Sequence, residues 1–236
     1  MSFRFKQFFV DDSRCAMKVG TDGVLLGAWA KVKTDECRRI ADIGAGSGLV
    51  SLMMAQRYSE AIITGIEIDP AAAEQAQANF LSSPWADRLS AECCPVQQYA
   101  PLHNGEFDMV VSNPPFFSNS LKAPDAARTA ARHTDMLTLE ELVNCSSVML
   151  KEKGCFSVVL PVWEEERILC CAANFGLALN RIMRVQGRTD RPVKRLLLSF
   201  LKTTEKQTVE EDSLVLETDI NVRTQAYSLL MQDFYL

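Results

Sequence analysis

The run Arg39-Ile-Ala-Asp42-Ile43, then Gly44-Ala-Gly46-Ser-Gly48, then Leu49-Val-Ser-Leu52-Met53 decides the fold. Residues 39–43 read as a short strand, and Leu49, Leu52, Met53 and Gln56 recur at helical spacing. Between them, alternating glycines let the backbone turn sharply and let a ligand approach without meeting Cβ atoms. A helix that starts there turns its unpaired N–H groups towards the same crevice. A second strand, Ala61 to Glu67, closes on an acid nineteen residues after Gly48. In a strand–helix–strand unit of a parallel sheet, that carboxylate stands beside the crevice, where it can accept hydrogen bonds from both hydroxyls of a ribose.

Outward from this unit, β-rich runs alternate with helical patterns. Further strands are expected at Leu89–Cys93, Phe107–Ser112, Cys155–Leu160, near Leu179–Val185 and near Lys194–Leu201, making seven in all. Helices are expected from Pro70 to about Leu81, Thr138 to Leu150 and Glu164 to Phe175, with a last one in the tail Arg223–Tyr235. The last two strands have no helix between them and form a hairpin. The pattern predicts an α/β fold, a mostly parallel seven-stranded sheet with helices on both faces. No repeat, linker or biased tract divides residues 1–236, so one domain is expected.

Composition narrows the class. The chain has 236 residues, 47% hydrophobic and 23% charged, with a net charge of −5, which excludes disorder as the main state. The longest charge-free run, Ile43 to Gln56, holds three glycines and falls short of the ~20 apolar residues a bilayer needs. The N-terminus MSFRFKQFFVDDSR has neither the apolar stretch nor the small-residue cleavage site of a signal peptide, so a cytoplasmic address and no membrane partner are expected. Eight cysteines without a CxxC, and only His103 and His133, give no metal-ligand spacing. The cysteines read as reduced thiols serving as small hydrophobes, and Trp29, Met53 and Met54 as core.

Asn113-Pro114-Pro115-Phe116 follows directly on an apolar strand. Proline fixes its own φ and holds the residue before it extended, so this backbone is stiff. An exocyclic amine on a heteroaromatic ring is a poor nucleophile, because its lone pair is delocalised. The side-chain oxygen of Asn113 and the carbonyl of Pro114 form a rigid pair of acceptors. One N–H on each would turn the lone pair towards an electrophilic methyl group. Phe116 would stack on the base, as aromatics do in sites that take extruded bases. Pro115 and Phe117 flank it as further substrate contacts.

The GxGxG spacing departs from the GxGxxG of dinucleotide sites and resembles the loop of S-adenosylmethionine-dependent methyltransferases. With Asn113–Phe116 added, the chain resembles amino-methyltransferases carrying an NPPY or NPPF motif. Phe5-Lys-Gln-Phe-Phe-Val10, Cys15–Trp29, Ser83-Pro-Trp-Ala86 and the Phe234-Tyr-Leu236 tail narrow the likeness. Together they resemble the bacterial tRNA1(Val) adenine-N6 methyltransferase family, which modifies the adenine 3′ of the anticodon. The resemblance implies a class I, Rossmann-like fold with S-adenosylmethionine as cofactor, a valine tRNA as partner and no metal. It places Lys18, Gly20, Thr21 and Asp22 over the methionine end of the cofactor, within an N-terminal segment, residues 1–36, that covers it. It also places Asp42, Gly44 and Gly46 around the cofactor's amino-acid moiety, Glu67 at its ribose, and Asn113 in contact with both cofactor and base. One departure stands out: Cys94-Pro95-Val96-Gln97-Gln98 has Pro95 where such enzymes carry an acid for the cofactor's adenine. Guanine-N2 methylation of ribosomal RNA is the enzymatic alternative, and a non-catalytic RNA-binding protein of the same fold is the other.

An acidic protein meets phosphates through local charge. Arg181, Arg184, Arg188, Arg191, Lys194 and Arg195 stand against a single acid, Asp190, over residues 181–195. Lys122, Arg128 and Arg132 form a second basic set after Phe116. Arg128, Arg132, Arg188, Arg191 and Lys194 are the candidate RNA contacts.

Overall fold

β3 (Arg39–Ile43) ends in the glycine run, and α2 (Leu49–Arg57) begins immediately behind it. The turn is made by Gly44, Gly46 and Gly48, all at positive φ. The structure, a computed structural model, describes residues 2–32, 36–115 and 137–235. After a small hairpin of β1 (Ser2–Arg4) and β2 (Phe9–Asp11) comes α1 (Thr21–Trp29), then the β3–α2 unit. The chain continues through β4 (Ile62–Glu67), α3 (Pro70–Leu81), β5 (Leu89–Cys93), α4 (Val96–Tyr99) and β6 (Phe107–Ser112). Beyond residue 136 follow α5 (Leu139–Met149), β7 (Leu150–Pro161), α6 (Glu165–Asn174), β8 (Leu177–Arg188) and β9 (Val193–Lys202). β10 (Glu210–Asp219), β11 (Val222–Arg223) and α7 (Gln225–Met231) complete it.

The main sheet has nine strands in the order β11-β10-β8-β9-β7-β6-β3-β4-β5. The seven expected strands are β3 to β9. The pairs β5–β4–β3–β6–β7 are parallel and β9 is antiparallel to both its neighbours. β10 adds itself parallel to β8, with β11 beside it. Neither was expected, because Glu210-Glu-Asp-Ser reads as a solvated run. Next to the sheet edge, covered only by the two-residue β11, β10 needs few core contacts, and in it only Leu214 is fully buried. Arg223, expected in the last helix, belongs to β11, and that helix covers only Gln225–Met231.

Strand alternation builds two cores, one on each face. Met109 and Val111 of β6 point to one and Val110 to the other, which Phe107 joins across a register shift in the β6–β7 ladder. Trp29, Met53 and Met54 are buried in the first. The helix starts are chemically specified. Asp69 accepts from Ala71 N at 3.0 Å with Pro70 at the first helical position, and Thr138 and Glu141 form a reciprocal capping box. The N-terminal hairpin is tied to the tail by Lys6 N donating to Phe234 O at 2.9 Å and by Phe5 stacking on Tyr235. Among the described residues no helix is long and apolar enough to cross a membrane.

Gly48 carries two constraints together. Its φ is +78°, and a Cβ there would sit 2.4 Å from the buried ring of Phe80. Left-handed backbone costs a non-glycine residue ~1–2 kcal/mol and overpacking costs ~1–3 kcal/mol. Gly48→Ala is therefore expected to lower unfolding stability by about 2–5 kcal/mol in urea titration. An unchanged midpoint would show that neither constraint acts.

Candidate active site

The C-terminal ends of β3, β4 and β6 open onto a crevice of about 340 Å³, walled on one side by residues 15–20. Asp42 stands at its floor, 1% exposed. One of its oxygens accepts Ser51 N at 3.0 Å and Ser51 Oγ at 2.7 Å. Ser51 lies in the first turn of α2, whose own cap, Gly48, offers no side chain, so Asp42 caps this helix from the neighbouring strand. Burial pushes its carboxyl up to about 6, against the lowering effect of the Ser51 bonds.

Glu67, at the end of β4, closes the loop from the other side. Its Oε2 accepts Gly46 N at 2.8 Å and its Oε1 accepts Asp69 N at 3.0 Å. In front of the loop there is open space: a Cβ on Gly44 or Gly46 would meet nothing within 4 Å, yet both residues line the crevice. Two carboxylates and an uncovered glycine backbone therefore converge on a cavity of small-molecule size. A buried acid suits an ammonium group, and a rim acid suits paired hydroxyls, so these residues fit the amino-acid and ribose parts of S-adenosylmethionine.

Lys18 and Gly20 line the crevice as expected. Lys18 Nζ donates to the carbonyls of Asp12, at 2.7 Å, and Ser13, at 3.3 Å. Thr21 and Asp22 are not brought to the crevice wall, and Asp22 is engaged by Arg195, Oδ2 to Nε at 2.8 Å. Asp12 escaped the sequence reading. It is buried, and its Oδ2 accepts Val19 N at 2.9 Å, fixing the wall formed by residues 15–20. An acid pair ahead of a glycine-containing run was the only available signal.

Asn113 and Pro115 line the same crevice, and Pro114 is buried behind them. Asn113 Nδ2 lies 3.7 Å from Met17 Sδ, so the amide is seated between β6 and the N-terminal wall. Helix α1 comes so near that a Cβ on Gly23 would stand 3.4 Å from that nitrogen. Leu137 also reaches the crevice, so the residues on either side of 116–136 both belong to it. Phe116, Phe117, Lys122, Arg128, Arg132 and His133 lie outside the described residues. Cys94, Pro95, Val96 and Gln97 supply the wall where an acid was expected to be missing, and Pro95 there is the N-cap residue directly before α4.

The six cations of residues 181–195 divide. Arg181 pairs with Glu210 at 3.3 Å and lies over Trp29, Arg184 makes a two-pronged bridge to Glu165 at 2.8 and 2.9 Å, and Arg195 holds Asp22. Arg188, Arg191 and Lys194 stand at the β8–β9 turn, away from the crevice wall.

Comparison with known proteins gives this geometry its context. The methyltransferase small domain family matches residues 20–163. A tRNA1(Val) (adenine(37)-N6)-methyltransferase from Flavobacterium psychrophilum is 44% identical over 99% of both chains. Relatives of that name from Bacteroides fragilis, 44% identical, and Yersinia enterocolitica, 41% identical, cover 99% of this chain, over 97% and 92% of their own lengths. The chain belongs to the tRNA1(Val) (adenine(37)-N6)-methyltransferase family. Among solved structures, a predicted O-methyltransferase from Agrobacterium tumefaciens superposes with a TM-score of 0.72 at 20% identity, covering 90% of this chain and 96% of its own. A geranyl diphosphate C-methyltransferase from Streptomyces coelicolor, solved with S-adenosyl-L-homocysteine, has a TM-score of 0.53 at 13% identity, covering 76% of this chain and 75% of its own. At these identities the likeness is one of fold, and the tRNA methyltransferase family shares that fold.

Asp42 makes stability depend on pH in a definite direction. Its folded pKa, about 6, lies above the ordinary 3.8, so its contribution is complete below pH 3.8 and is lost as pH rises through 6. A rise of that size corresponds to on the order of 3 kcal/mol. Measured against Asp42→Asn, the wild type should lose relative stability between pH 4 and 6.5 and level off above that range. Parallel stability curves for the two proteins over that range would show Asp42 to be unperturbed.

Proposed function

We propose that this chain methylates N6 of the adenine 3′ of the anticodon, position 37, in a valine tRNA in the cytoplasm. The observation that carries this reading is that Asn113 and Pro115 share one crevice with Asp42 and the glycine turn at Gly44 and Gly46. Full-length kinship with tRNA1(Val) (adenine(37)-N6)-methyltransferases supports the choice of base and RNA.

When bound, S-adenosylmethionine supplies an electrophilic methyl carbon on a sulfonium leaving group. Asp42 and the backbone of Gly44 and Gly46 would hold its amino-acid end, and Glu67 would accept from its ribose hydroxyls. Lys18 and Gly20, in the N-terminal wall, would cover its methionine end, and Pro95 and Val96 would offer apolar surface to its adenine.

Asn113 Oδ1 and the Pro114 carbonyl each accept one hydrogen of the target amine, and this fixes its lone pair towards the methyl carbon. The two prolines keep both acceptors in place through the reaction. As the N–C bond forms, the nitrogen becomes acidic and one of its two protons passes by these oxygens to water. No strong base is required, in keeping with the absence of a histidine from the described crevice wall. Phe116, which lies outside the described residues, is the proposed stacking partner of the base.

Asn113→Ala should reduce turnover on tRNA by about 10²–10³-fold, the effect of removing one preorganised polar group at a reacting centre. Cofactor affinity, read by calorimetry, should change only a few-fold. Wild-type turnover in this variant would remove Asn113 from the mechanism.

A further inference from the structure

We propose that Trp163, with the cations of the β8–β9 turn, forms a second RNA platform on the catalytic edge of the sheet. There it stacks on an unpaired base next to the one being methylated. This inference rests on the function proposed above.

Topology places the elements together. β6 and β7 are parallel with Ser112 opposite Val158, so Asn113 to Pro115 run level with Val159 to Pro161. Trp163 stands two residues beyond Pro161, one strand away from the Asn-Pro-Pro turn. Pro161 in turn pairs with Arg195 at the start of β9, and β8 runs parallel to β7 through their shared partner β9. The β8–β9 turn, with Arg188, Arg191 and Lys194, therefore emerges at the same edge.

Exposure and rigidity single out the tryptophan. The residue is 63% exposed, more than any other exposed aromatic among the described residues. It sits in a single 3-10 turn, Val162–Glu164, entered through Pro161 and held by Glu164, which is 8% exposed and lies 3.5 Å from Arg167. A bulky ring left in solvent on a fixed turn is costly on an ordinary surface. It is well suited to nucleic acid, where every base offers a flat face and stacking tolerates sequence.

Charge favours the same partner. Arg181, Arg184 and Arg195 are engaged by Glu210, Glu165 and Asp22, whereas Arg188 and Arg191 share the one carboxylate of Asp190, at 3.3 and 3.7 Å. Lys194 is exposed and has no ion pair among the described residues. On a protein of net charge −5, the β8–β9 turn keeps a local positive excess at the sheet edge that also carries the exposed Trp163, while Glu166, exposed three residues along, is the opposing charge on the tryptophan's own segment.

The test compares wild type, Trp163→Ala, Trp163→Phe and the Arg191→Ala/Lys194→Ala double variant, with tRNA affinity measured across a salt series. Trp163→Ala should weaken tRNA binding about ten-fold or more. Trp163→Phe should restore most of it, with cofactor affinity and turnover at saturating tRNA unchanged. The double variant should make the slope of log affinity against log salt shallower by about 1.4. If the wild type methylates tRNA but Trp163→Ala binds it as tightly, or Phe fails to restore binding, the platform is refuted and the proposed function stands. A wild type that neither binds nor methylates tRNA overturns both.

Discussion

Two carboxylates from adjacent strands hold one glycine turn, and the rest of the site depends on that grip. Asp42 binds the first turn of α2 from below, and Glu67 takes the N–H of Gly46 from the side. The turn between them must keep its backbone bare to serve as a binding surface, so it cannot be stabilised by side chains of its own. Support comes instead from the ends of β3 and β4, whose register is fixed by the parallel ladder Ile43↔Ile66. The cost is a buried acid kept partly charged in a site of low polarity. A cationic ligand amine beside Asp42 would offset that cost.

The same sheet edge explains how distant segments of the chain act together. β6 carries Asn113 to within reach of the glycine turn because β6 and β3 are hydrogen-bonded neighbours, with Ser112 opposite Ile43. α1 closes the opposite side, and its position is secured by Asp22 bridging to Arg195 on β9. A residue first read as a cofactor contact thus joins the N-terminal wall to the far half of the sheet. The acidic strand β10 has a comparable role: Glu210 engages Arg181, and the outward-facing charge is left to the β8–β9 turn.

Much of this was legible in the sequence, for local reasons. Residues 39–48 specify strand, turn and helix through their own backbone preferences, and Pro70 and Thr138 announce helix starts through capping chemistry. Asn113-Pro-Pro is legible because proline stiffness is a property of the tripeptide itself. What escaped depends on partners far along the chain. Asp12 looks like any loop acid until Val19 is folded against it. Asp22 and Arg195 are 173 residues apart, so neither reveals that the other will neutralise it. β10 is strand because β8 offers it an edge, and its own charged residues give no such sign. Trp163 reads as one more apolar residue after a strand, and only the topology places it beside the site.

The central claim is that a stiff pair of acceptors selects an exocyclic amine, and it is tested most directly by locating the transferred methyl group. Valine tRNA incubated with the protein and methyl-deuterated S-adenosylmethionine should yield, after digestion to nucleosides and mass analysis, deuterated N6-methyladenosine from position 37. Label on a ring nitrogen, on a ribose hydroxyl or on the amine of guanine would contradict the account.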